Sequence, residues 1–234
     1  MAREPDKFPP GIYLVSTPIG NLEDISERQR RVLEDCDVVA CEDTRRTGQL
    51  LARLSIKKSL LSYHEHNESA RAEQLAEKAE AGERIAVVSD AGTPGISDPA
   101  YRVVRAAVDR GVTVYPVPGP SAVVAALVAS GLPTDRFVYE GFLPQKGEKR
   151  WRRVDELLEE DRTVVLYESP HRVVRLIEEI SNRTPSRPLV LAREITKLHE
   201  EFLRGTASEL ANKTNGKNVK GECVLLIGPK RMEN

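Results

Sequence analysis

Five short stretches hold most of the residue types that could do chemistry. They are "STPIGNLED" (16–24), "CEDTRRT" (41–47), "YHEHNE" (63–68), "SDAGTPGISDP" (89–99) and "PVPGPSA" (116–122). The fourth sets Gly92 and Gly95 between Asp90 and Asp98. A glycine has no Cβ, so backbone N–H and C=O groups there can close on a ligand. Gly92–Thr93–Pro94–Gly95 can equally be a plain double turn. If it is a cradle, two aspartates suit hydroxyl or cationic groups better than phosphate. There is no Walker sequence and no G-x-G-x-x-G after the first strand, which argues against P-loop and nicotinamide Rossmann chemistry. His64 and His66 lack an H-E-x-x-H frame, and no G-x-S-x-G elbow is present. Neither a metal site nor a covalent hydrolase is expected.

A sixth stretch, "KGEKRWRR" (146–153), interleaves five basic residues with Trp151. That mixture can hold phosphates and stack a base. It also fits an ordinary solvated helix face, a reading the acidic "DELLEED" behind it supports.

These stretches follow short β-branched runs. Strands are expected at "IYLVS", "DVVAC", "SLLSY", "RIAVVSD" and "VTVYPV", separated by helical patterns near "SERQRRVLED", "TRRTGQLLARL", "SARAEQLAEKAEAG" and "AYRVVRAAVDRG". Ser26 suits an N-cap and Gly82 a C′ glycine. Pro120 suits the first turn of a further helix with Ser121 as its cap, and the "AVVAALVAS" run is apolar on all faces and expected to be buried. Strand–helix alternation of this kind builds an α/β sheet, whose ligands bind at the carboxyl ends of the strands. All five loops lie at that edge.

The pattern breaks at "SGLPTDRF" and restarts with strands "FVYEGF", "TVVLYES", "LVLAREI", "EFLRG" and "ECVLLIG" and helices "KRWRRVDELLEED", "PHRVVRLIEEISN" and "TASELANK". Two α/β domains are expected, 1–134 and 135–234, each a mixed sheet flanked by helices. A single continuous domain is the competing arrangement.

The 35 basic and 36 acidic residues nearly cancel, so nucleic acid would have to be met by a local patch. Cys36, Cys41 and Cys223 have no zinc-ligand spacing and read as buried small hydrophobes in a reducing compartment. The charged "MAREPDKFPP" start has no apolar run behind it, and "VVAALVA" is too short to span a bilayer. A cytoplasmic protein without a membrane partner is expected.

Nine motifs in order carry a resemblance: "YLVSTPIGNLEDIS", "CEDTRRT", "YHEHNE", "VVSDAGTPGISDP", "PVPGPSA", "GFLPQK", "YESPHR", "LAREITKLHEE" and "KGECVLLI". Over residues 11–228 the chain resembles the bacterial small-subunit ribosomal RNA cytidine 2′-O-methyltransferases, the methyltransferase I family of the tetrapyrrole methylase superfamily. The resemblance implies a two-domain methylase that uses S-adenosylmethionine, held in a cleft between the domains. It also implies a homodimer acting on a decoding-region cytidine of small-subunit ribosomal RNA or of the assembled 30S subunit. Asp90, Ala91, Gly92, Thr93, Gly95, Ile96 and Ser97 would line the methionine and ribose portions of the cofactor, with Ser121 and Ala122 beside them. Tyr167 and Val224 would close the adenine side. Ala100 stands where the family commonly has glycine, and many members continue past the point where this sequence stops at "GPKRMEN", which bears on RNA and dimer contacts.

Methyl transfer to a ribose oxygen calls for alignment and for a base to take the hydroxyl proton. Glu42, His64, Glu65 and Lys197 are the candidates, beside Asp43, Glu168 and Glu200. A lysine qualifies only if burial lowers its pKa. Arg45, Arg46, Lys146, Lys149, Arg150, Arg152, Arg153 and Arg172 are the expected phosphate contacts, with Trp151 stacking a base. A methylase of a tetrapyrrole or protein substrate, and a non-catalytic RNA-binding protein, are the rival readings.

Overall fold

A computed structural model describes residues 7–231. The charged start of the chain through Asp6 and the last three residues, read above only from composition, lie outside them. Two compact units divide between Ser121 and Ala122. The second unit thus begins at the "AVVAALVAS" helix, ahead of the Gly-Leu-Pro-Thr-Asp turn where the pattern of the sequence breaks.

In the first unit β1 (Gly11–Val15), α1 (Glu27–Asp35), β2 (Val38–Cys41), α2 (Thr44–Arg53), β3 (Ser59–Ser62), α3 (Glu68–Glu80), β4 (Arg84–Val88), α4 (Tyr101–Asp109) and β5 (Val114–Val117) alternate as expected. Ser26 caps α1 in a full capping box with Gln29, and Gly82 takes φ +100° just past α3. The strands order as β3-β2-β4-β1-β5, and every ladder is parallel. The antiparallel element here is an isolated bridge between Thr17 and Gly92.

Period-2 alternation fills both faces of this sheet. Ile12, Ala40, Ile85 and Val87 pack with Leu75, Ala76, Val103 and Ala107 of α3 and α4. Tyr13, Val15, Val39, Ala86 and Val88 pack with Val32, Leu33 and Leu51 of α1 and α2. The helix after β1 therefore lies on one face and the helix after β4 on the other, although the two strands are neighbours. The chain leaves these two strands toward opposite faces, the arrangement that places a ligand crevice at the carboxyl edge.

The second unit runs α5 (Ala122–Ser130), β6 (Phe137–Phe142), α6 (Glu148–Leu158), β7 (Thr163–Glu168), α7 (Pro170–Arg183), β8 (Pro188–Arg193), β9 (Glu201–Thr206), α8 (Ala207–Thr214) and β10 (Cys223–Ile227). Its sheet is mixed, in the order β6-β7-β10-β8-β9, with β6–β7 parallel and the other pairs antiparallel. Gly141, at φ +74°, sits at a register shift in β6. Leu166, Leu189, Leu191 and Leu225 face α6, α7 and α8.

The helix α5 lies against β7, β8 and β10, and its C-terminal end is fixed by Arg204, which donates to the carbonyls of Ala129 (2.5 Å) and Ser130 (3.0 Å). It differs from the expectation of burial on all faces. Val123, Ala126 and Leu127 are buried, but Val124 is 53% and Val128 69% exposed. The helix also starts at Ala122, so Pro120 lies outside it and Ser121 is the residue before it. Cys36, Cys41 and Cys223 are free and buried, and no helix among the described residues is long and apolar enough to cross a membrane.

Candidate active site

The crevice beside β4 is built by backbone exchange between the loops after β1 and β4. The Thr17 amide donates to Gly92 O (2.8 Å) and the Gly92 amide returns the bond to Thr17 O (3.0 Å). Hydroxyls extend the tie. Ser16 Oγ and Thr93 Oγ1 lie 3.0 Å apart, Thr93 Oγ1 donates to Pro120 O (3.0 Å), and Thr17 Oγ1 donates to Ser89 O (3.2 Å). Three of the five loops are thereby locked together.

Gly92 and Gly95 both sit at φ +87°, and Ser97 at +65°, a left-handed conformation costly for any residue with a Cβ. Ala91, Gly95, Ile96 and Ser97 are exposed, so this edge presents backbone to solvent. A Cβ on Gly119, in the loop after β5, would lie 2.0 Å from Gln29 Nε2 and 2.9 Å from the Ser16 Cβ. Gln29 is fully buried and donates to Ser16 O at 2.6 Å. Sequence reasoning left Ser16, Thr17, Gln29 and Gly119 out of the site. The usable signals were the first two residues after β1 and the S-x-x-Q capping pattern. Ala100 is 3% exposed and its φ of −165° lies outside the left-handed region that favours glycine.

Three carboxylates face this crevice. Glu42 follows β2, while Asp90 and Asp98 flank the glycine loop. Asp90 Oδ1 accepts from the Asp43 amide (3.2 Å), and its Oδ2 lies 3.2 Å from Arg46 Nη1. Glu42 Oε1 is buried with no hydrogen-bond partner among the described residues. Burial first, then the charges of Asp98 and Asp90, pushes the Glu42 carboxyl up to about 7. Asp98 rises to about 6, chiefly by burial, with Asp90 adding and the Ser89 hydroxyl opposing. A carboxyl poised near neutrality can accept a proton at physiological pH. No group of metal-ligating side chains capable of holding a metal ion occurs among the described residues.

The other base candidates fare differently. His64 lies in the turn after β3, where its amide donates to Asn67 Oδ1 (2.9 Å) and its Nδ1 is buried without a partner among the described residues. Glu65 is exposed. Lys197 does not meet the condition set for a lysine base. Burial works to lower its pKa, but hydrogen bonds to Glu222 (2.8 Å) and Glu194 (2.9 Å) outweigh it, and the net direction is upward. It stays protonated as the clamp of a turn in which Glu194 and Thr196 take positive φ.

In the second unit Tyr167 and Val224 are register partners across β7 and β10. The Tyr167 ring meets Tyr139 and Phe142 edge-on at 5.4 and 5.5 Å. Val224 is 4% exposed. Ser121 closes the first unit and Ala122 opens the second.

The basic stretch separates into structural and free charges. Arg150 is 5% exposed and donates to Glu168 Oε2 at 3.0 Å, so it is an internal ion pair and not a surface phosphate contact. Arg153 is held by Glu140 and Glu156 (2.5 and 2.7 Å). Trp151 has guanidinium groups of Arg175 and Arg183 over its ring, at 5.7 and 5.2 Å, so it is not a free stacking platform. Sequence alone could not separate these because one helical stretch presents both an inner and an outer face. Lys146, Lys149 and Arg152 remain exposed, and Arg172 is partly exposed with Nη2 2.6 Å from Glu168. On the first unit Arg45 pairs with Asp43 and Arg46 with Asp90.

The parallel sheet with its glycine-loop crevice, and the mixed sheet that follows, define an α/β methylase architecture. Residues 11–211 match the family of tetrapyrrole (corrin/porphyrin) methylases, and the chain belongs to that family. Among relatives, it is 46% identical over 217 residues to ribosomal RNA small subunit methyltransferase I of Synechocystis sp., covering 92% of this chain and 78% of that one. It is also 46% identical over 219 residues to the protein of the same name from Escherichia coli O157:H7, covering 92% and 77%. The nine-motif resemblance thus points to the same relatives. Solved structures share the fold at lower identity. Diphthine synthase has a TM-score of 0.72 at 15% identity, covering 95% of this chain and 91% of that one. Uroporphyrin-III-C-methyltransferase from Thermus thermophilus has a TM-score of 0.62 at 24% identity, covering 93% of each.

Proposed function

We propose that the protein transfers a methyl group from S-adenosylmethionine to the ribose 2′-oxygen of a cytidine in the decoding region of small-subunit ribosomal RNA, as free RNA or in the assembled subunit. The observation that carries the reading is the near-neutral Glu42 carboxyl, whose Oε1 is buried without a partner among the described residues, at the carboxyl edge of a sheet whose glycine loop presents its backbone. The names of the relatives at 46% identity support the substrate.

The residues present fit the cofactor. Gly95 leaves room for backbone contact, Asp90 and Asp98 suit its hydroxyl and cationic groups, and Ser121 supplies a hydroxyl. Asp90, Ala91, Gly92, Thr93, Gly95, Ile96 and Ser97 would hold it, with Ser121 and Ala122 beside them and Tyr167 and Val224 from the second unit. When bound, the cofactor would supply a methyl group on a sulfonium, which departs as a neutral thioether when the methyl passes to the 2′-oxygen. The chain's own work is alignment and proton removal. Glu42 Oε1 accepts the 2′-hydroxyl proton, and the neighbouring Asp98 and Asp90 keep that carboxyl basic enough to do so. Alignment of two bound reactants can remove roughly 7–11 kcal/mol of the barrier, and the base adds about 10²–10⁴-fold. Arg45, Arg46, Lys146, Lys149, Arg152 and Arg172 are the contacts to RNA. A second copy of the chain is the expected partner, and the exposed Tyr101 and Val108 on α4 give it an apolar surface to meet.

The test is transfer of labelled methyl from S-adenosylmethionine to small subunits from a strain lacking this modification, with mapping of the product. Label on the 2′-oxygen of one decoding-region cytidine is expected. Cofactor binding with no label in RNA would overturn the substrate while keeping the crevice.

A further inference from the structure

We infer that a pocket in the second unit, where the β6–α6 connection meets α7, seats one phosphodiester group of the RNA. The inference rests on the RNA-methylating reading above. The pocket has a volume of about 100 Å³ and is lined by Lys146, Arg150, Trp151, Arg172 and Arg175.

Four cations would repel one another in so small a space. Two buried carboxylates hold them together. Glu168, whose side chain is fully buried, accepts from Arg150 on one oxygen (3.0 Å) and from Arg172 and the Ser169 amide on the other (2.8 Å each). Glu179 Oε1 accepts from Arg175 Nε (2.9 Å), and its Oε2 lies 3.9 Å from Arg150 Nε. Among these groups four positive charges stand against two negative, and the exposed members of the excess are Lys146 and Arg175. Arg175, 72% exposed at its side chain, spends only Nε on Glu179 and stacks over Trp151. Its remaining fork of N–H donors matches a phosphate. Lys146 is exposed and makes no ion pair among the described residues. The N-terminus of α6, at Gly147, has no side-chain cap and adds its partial positive charge. Arg175 was absent from the residues singled out in the sequence because it lies on α7, away from the basic run.

The pocket is therefore built for one anion, with Trp151 serving as a prop for Arg175. It fixes where a strand of RNA crosses the second unit and carries no base specificity.

The experiment is equilibrium binding of a labelled small-subunit ribosomal RNA fragment between 50 and 200 mM salt. It compares wild type, Lys146→Ala and Lys146→Ala/Arg175→Gln, with S-adenosylmethionine affinity and thermal unfolding measured alongside. Each charge removed should flatten the slope of log K against log salt by about 0.7–0.9. The wild-type advantage at the low end of the range should then exceed that at the high end by about threefold per charge. Cofactor affinity should not move. Lys146→Ala breaks no ion pair, so its fold is secure, and Lys146→Arg should restore the wild-type slope. Unchanged slopes in variants of a wild type that binds and methylates RNA would overturn the pocket alone. A wild type that binds cofactor but neither binds nor methylates ribosomal RNA would overturn the reading on which it rests.

Discussion

Thr17 and Gly92 exchange both backbone hydrogen bonds, so the loops after two neighbouring parallel strands are tied at the crevice. Gly92 can make this exchange only at φ +87°, and a Cβ there would lie 3.3 Å from Ile19 Cγ2. Gly92→Ala should cost about 1–3 kcal/mol of stability through that conformation. It should also weaken S-adenosylmethionine binding, as calorimetry would show. Cofactor affinity equal to wild type would separate the loop from the cofactor.

Glu42→Gln should lower methyl transfer by about 10²–10⁴-fold while leaving cofactor affinity intact. In the wild type the rate should climb as pH rises through about 7, because only the deprotonated carboxyl accepts the proton. A flat profile from pH 5.5 to 8.5 would remove Glu42 as the base.

Stability should run the opposite way. Glu42 and Asp98 have folded pKa values near 7 and 6, above their ordinary 4.5 and 3.8. Between about pH 4 and 7 the folded state holds more protons than the unfolded one, so stability present at low pH is lost as pH rises. Glu42→Gln should therefore gain roughly 1 kcal/mol at pH 8 once solvent screening is allowed for, and nothing at pH 4. Thermal unfolding at the two pH values measures this directly.

Asp98→Asn removes the charge that, after burial, contributes most to the elevation of Glu42. At saturating S-adenosylmethionine the rising limb of the pH–rate profile should move to lower pH. A limb that stays in place would show that burial alone sets the carboxyl.

Arg150→Met leaves Glu168 buried with one fewer partner and should cost about 3–5 kcal/mol. Arg152→Ala, at a side chain 70% exposed and 3.7 Å from Glu148, should cost under about 0.5 kcal/mol. Denaturant unfolding of the two variants distinguishes them. Equal effects would mean the buried pair had been misassigned.

The sequence by itself determined the strands and helices, the carboxyl edge, and the glycine loop. Apolar period, turn residues and caps are local properties: Ser26, Gly82 and the alternation in "RIAVVSD" each act within a few residues. It also brought Glu42, Asp90 and Asp98 to one edge, because residues that follow parallel strands must lie there. What the sequence could not decide was which polar side chains are already satisfied. Lys197 and Arg150 are typical base and phosphate-binding types. Their partners, Glu222 and Glu168, lie 25 and 18 residues away along the chain and meet them only in the folded protein. Gln29 and Gly119 gain their roles in the same way, through an approach between α1 and the loop after β5. Pairing and desolvation depend on distances in space, so tertiary structure alone decided that Glu42 Oε1 is buried without a partner among the described residues and its carboxyl stands near neutrality, while Lys197 is held charged.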